Sequence, residues 1–148
     1  SVIIHFLLKK FSERFSEKTK KNLKNIIALS YGIIIATSIT GTIIINFYRR
    51  NFIIRNNVSS VVLLISDLIL HLIPLIIISN ISPNSNEVSI NRIYIYSSFF
   101  TSSIMYLFVV NPEKVYQGIP KYIIYFFPTL ISYISSYLKY PPHRKIIN

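Results

Sequence analysis

Two ionisable side chains stand in this sequence where ionisable side chains are rare. Asp67 and His71 lie four residues apart inside an otherwise apolar run, and Pro74 follows three residues later. On a helix, positions i and i+4 share a face, so the carboxylate and the imidazole become neighbours. Pro74 has no amide hydrogen; it leaves the Leu70 carbonyl without its helical donor and predicts a kink. An acid, an imidazole and a free carbonyl therefore fall within about two helical turns.

Three chemistries fit that cluster. The first is a polar latch between helices, with Asp67 and His71 bonded to each other and to hydroxyls of a neighbouring segment such as Ser98, Thr101 or Ser102. The second is a proton or ion relay, for which a coupled acid and imidazole are the appropriate groups. The third is metal or acid–base catalysis. A metal would need ligands from His5, Glu87, Glu113 or His143, all outside the apolar runs, so neither a metal nor a cofactor is expected. No serine is singled out beside an imidazole, and no catalytic residue is assigned. The latch is the leading reading and the relay the alternative.

The elements that must position the pair are set by where charge is missing. Sixteen Lys and Arg face five Asp and Glu, a net charge of +11 in a chain that is 51% hydrophobic. These charges avoid four long apolar runs, 26–48, 61–81, 93–110 and 119–138, in which Asp67 and Lys121 are the only charged residues. Runs of about 17–25 apolar residues have the length of a transmembrane helix. The many Ile and Val residues would suit buried strands, but strands of that length are rare, and an open sheet in lipid would leave edge amides unpaired. The absence of Cys excludes disulfides and thiolate metal sites, and three Gly are too few for a phosphate-cradling loop.

The expected architecture is an all-α integral membrane protein, an N-terminal interfacial amphipathic helix followed by four transmembrane helices. Residues 1–25 form the interfacial helix, with Ile4, Leu8, Phe11 and Phe15 along one face. Lys9, Lys10, Arg14, Lys18, Lys20, Lys21 and Lys24 are expected to contact anionic lipid heads. Residues 26–138 form the membrane domain, and 139–148 a short basic tail. Nucleic acid is the weaker partner for these cations, because a positive-inside anchor accounts for them.

Within the spans, Ala28, Gly32, Ala36 and Thr40 recur every four residues, a stripe on which another helix can approach closely. Pro128 predicts a second kink. The distribution of Lys and Arg places both termini on the cytoplasmic-equivalent side. Abundant Ile, Asn, Lys, Tyr and Phe without Trp is the bias of A/T-rich coding sequence, which brings an organelle inner membrane or a virion membrane into view. The expected role is structural, a packing and assembly subunit of a larger membrane complex or virion inner membrane. The alternative is a transporter or proton-conducting subunit built on Asp67 and His71.

Overall fold

The computed structural model describes residues 14–48, 57–109 and 118–142, together with Phe6 and Ile53. Lys9 and Lys10, most of the expected interfacial helix, and residues 143–148 of the tail lie outside the described residues. Those described are helical or in turns, with no strand among them.

Helix α1 spans Glu17–Phe47, 31 residues. Ser16 starts it: its Oγ accepts from the Thr19 amide at 3.2 Å, and Glu17 places a negative charge in the first turn, where the helix dipole favours it. Residues 17–25 continue into the apolar stretch of α1 without a break. No Gly or Pro stands between Glu17 and Tyr31 to make one.

Helix α2 spans Ser60–Ile81, 22 residues. Ser59 caps it, accepting from the Val62 amide at 3.2 Å, and it stops at Ser82, extended as a residue before proline tends to be. Leu68–Leu72 form a π-helical turn inside it, where the Ile73 amide reaches back to the Leu68 carbonyl. The turn ends two residues before Pro74, whose ring would clash with the Leu70 carbonyl in a regular α-helix.

Helix α3 spans Arg92–Val109. Two further segments follow, α4 at Lys121–Ile124 and α5 at Phe126–Lys139. The interruption at Tyr125 lies three residues before Pro128, where the missing amide disrupts the preceding turn.

By length and composition, α1 and α2 can each cross a membrane. Tyrosines, hydroxyls and Arg92 dilute α3, and the break at Tyr125 leaves α5 with 14 residues. Helix α1 is central, packing against α2, α3 and α5. Ile27 and Ile35 of α1 enclose Ile78 of α2, with Ile131 of α5 against them. At the other core cluster, Ala28 meets Val88, Ile95 and Tyr140. The start of α1, the 82–91 connection, the start of α3 and the end of α5 thus gather at one end.

The polarity of α2 is inverted relative to a water-soluble helix. Asp67 is 5% exposed, whereas Ile69, Leu70 and Ile76 are each more than half exposed. Each large aliphatic side chain left in water forgoes about 1.5–3 kcal/mol of burial.

Candidate functional site: a polar cluster between α1 and α2

Asp67 and His71 sit near the middle of α2 and face α1. The His71 Nδ1–H donates to Asp67 Oδ1 at 2.9 Å, and Thr42 of α1 donates its hydroxyl to the same oxygen at 3.0 Å. The acid is thereby held by one bond within its own helix and one across the interface. For a buried carboxylate, such bonds replace the hydration lost on burial.

Gly41 makes the arrangement sterically feasible. The His71 ring rests directly on it, and a Cβ at position 41 would overlap Nε2 and Cδ2 and come within 2.6 Å of Cε1. The π-turn contains His71 itself, so proline-driven distortion and the cluster share one stretch of backbone.

The hydroxyl partner differs from the expectation. Ser98, Thr101 and Ser102 do not reach Asp67; they bond back to the carbonyls of Ile95, Ser97 and Phe99 on their own helix, at 2.8, 3.2 and 2.9 Å. Ser97 does the same with Ile93. A hydroxyl satisfied within its helix needs no water, and the same habit recurs at exposed Thr37, Ser79 and Asn80. Sequence reasoning missed both Thr42 and Gly41, although Gly41 is one of only three glycines in the chain.

The other singled-out residues fall in several places. Ala28, Gly32, Ala36 and Thr40 are all buried along α1. Gly32 meets α5, where the Ser132 and Ser136 hydroxyls occupy the space a Cβ would take. Those two serines are fully buried, and neither hydroxyl finds a hydrogen-bond partner among the described residues. Of the basic residues, Arg14, Lys18 and Lys21 are exposed, Lys20 pairs with Glu17 at 2.7 Å, and Lys24 pairs with Glu87. Pro74 is half-buried and Pro128 buried.

That Lys24–Glu87 pair belongs to a second polar group, which ties the 82–91 connection to α1. Asn25 donates to Ser89 Oγ at 3.0 Å and accepts from the Ser89 amide at 3.0 Å. Arg92, 6% exposed, donates to the carbonyls of Ser85 at 2.6 Å and Val88 at 3.2 Å. The hydrogen bond from Lys24, reinforced by the Asn84 amide, holds the Glu87 carboxyl below the usual carboxylate range. Tyr140 closes this end, its ring edge-on to Tyr31 and its carbonyl accepting from Tyr96 at 2.6 Å. Burial pushes the Tyr140 hydroxyl upward. Among the described residues no group of three or more His, Cys, Asp or Glu is placed to hold a metal ion.

No family model, curated protein or solved structure matches this chain. Fold and site therefore define the class alone: an all-helical protein with two helices long and apolar enough to cross a membrane, joined by a buried polar cluster.

Proposed function

We propose that this chain is a small polytopic integral membrane protein with a structural role, a packing and assembly subunit of a larger membrane complex or of a virion's inner membrane. The observation that carries the reading is the inverted polarity of α2, whose acid and imidazole turn toward α1 while its aliphatic side chains face outward. Carboxylate, imidazole and threonine hydroxyl are engaged in holding two helices together, which is the work of a latch. The four expected spans and the common side of both termini remain part of this proposal. It is supported by the meeting of the start of α1 with the end of α5 at Ala28 and Tyr140.

The exposed cations at that end suit anionic lipid heads. At 1.5 Å per residue α1 is about 46 Å long, against about 30 Å of hydrocarbon. Its first turns, with Lys18 and Lys21, extend into the headgroup layer, where each basic residue contributes about 1 kcal/mol.

The relay stands as a second reading because the π-turn coincides with His71, and π-turns recur at functional positions. Reconstituted vesicles separate the two. A structural subunit leaves an imposed pH gradient as stable as in protein-free vesicles. A relay dissipates it, and Asp67→Asn abolishes the dissipation without preventing insertion. The structural reading is overturned by gradient loss that depends on Asp67, or by a protein that alkaline washing strips from the vesicles.

A further inference from the structure

Asp67 has two carboxylate oxygens, and the latch uses one. Oδ1 accepts from both Thr42 and His71, while no hydrogen bond reaches Oδ2 among the described residues. The helices of the latch bring no Lys or Arg to it. Between Ser38 and Asn46 α1 carries no ionisable side chain, and α2 carries none besides Asp67 and His71. α1 packs along this stretch of α2. Beside the cluster, Leu64 and Leu68, four residues apart on one face of α2, are exposed, and the His71 side chain is 20% exposed.

A carboxylate at membrane depth is costly without a cation beside it, and the described residues bring Asp67 nothing but the His71 imidazole and the Thr42 hydroxyl. A cation brought to Oδ2 would offset that charge in a medium where Coulombic attraction is strong. We propose that the flank of α2 at Leu64 and Leu68 docks a transmembrane helix of a different protein, one that carries a Lys or Arg at mid-membrane depth and donates from it to Asp67 Oδ2. The proposal rests on the membrane reading above and names the partner chemistry that reading leaves open.

Among the described residues a second copy of this chain offers no cation at that depth. Along α1 no Lys or Arg follows Lys24, and α2 has none. Arg92 stands at the start of α3 with its guanidinium on the Ser85 and Val88 carbonyls, while Lys121 opens α4 and Lys139 ends α5. The described cations thus lie within the first two turns of α1 or at the ends of α3, α4 and α5, apart from Arg14, which precedes α1. The partner must bring its own, and a mid-membrane Lys or Arg on that partner has the complementary reason to seek Asp67.

The test uses the full chain in phosphatidylcholine vesicles. Because the protein has no Cys, Leu64→Cys gives a single label site near the flank. The probe is a synthetic leucine helix of about twenty residues bearing one central Lys; the control has Leu there. Insertion is checked first by resistance to alkaline extraction. Energy transfer from the label is expected to report about tenfold tighter association of the Lys peptide, equivalent to about 1.4 kcal/mol. Asp67→Asn should erase that preference. Equal association of the two peptides, or a Lys preference that survives Asp67→Asn, overturns the proposal and leaves the membrane reading standing. A chain that does not insert overturns both.

Discussion

The imidazole of His71 lies in the notch left by Gly41, its ring in the space where any other residue would place a Cβ. Two helices can approach closely at a glycine, and here the approach is filled by the side chain that also donates to Asp67. Gly41→Ala should therefore act on His71 and not on helix propensity, since alanine is the better helix former by about 1 kcal/mol. Displacing the ring should destabilise the α1–α2 contact by about 1–3 kcal/mol, as overpacking does. In a His71→Ala background the same substitution should be neutral or stabilising. Unfolding in mixed detergent of the two single variants and the double variant measures this coupling, and additive effects would count against the notch.

Thr42 gives Asp67 its bond across the interface. Thr42→Val keeps the shape and removes the donor. The expected loss is about 0.6 kcal/mol, the average for hydrogen bonds between membrane helices, and at most about 1.7 kcal/mol. Thr42→Ser should retain most of the stability. Loss in Thr42→Ser equal to that in Thr42→Val would mean that packing of the methyl group, and not the hydroxyl, matters at this position.

What the sequence revealed of this cluster is the part that local geometry dictates. Asp67 and His71 are bonded because four residues on one helix bring them together whatever surrounds them. The distortion before Pro74 was legible for the same reason, though not its resolution as a π-turn. Thr42 was not legible, because its meeting with Asp67 depends on how α1 and α2 cross and rotate. The α3 hydroxyls were equally plausible partners until their own carbonyls were seen to take them. The boundary at 25/26 rested on a change from charged to apolar composition, which marks a change of environment along α1 without requiring a break in its backbone.

The contact of Gly32 with Ser132 and Ser136 carries a different expectation. Both hydroxyls are buried, and neither has a hydrogen-bond partner among the described residues. An unsatisfied buried polar group costs about 1–3 kcal/mol, so Ser136→Ala should leave stability unchanged or raise it. Gly32→Val should prevent α5 from seating on α1. Protease susceptibility of the α4–α5 segment reports the outcome: protection in Ser136→Ala and cleavage in Gly32→Val are expected. Marked destabilisation by Ser136→Ala would show that its hydroxyl is bonded within the folded protein.

The Lys24–Glu87 pair makes the 82–91 connection sensitive to acid. Its hydrogen bonds lower the Glu87 pKa from the ordinary 4.5, so folding favours the ionised form. A carboxyl with a depressed folded-state pKa stabilises the fold above its unfolded value, and that contribution disappears as pH falls through the folded one. The connection should be at full strength above about pH 5 and should loosen below pH 4.5, the value the group has without its partners. Both side chains are about one-third exposed, so solvent screening limits the effect to about 0–1 kcal/mol. Amide exchange at Ser89 and Ile90, whose N–H groups donate to Asn25, is the measurement. In Glu87→Gln the acid-dependent step should vanish, and its persistence in that variant would assign the sensitivity to another group.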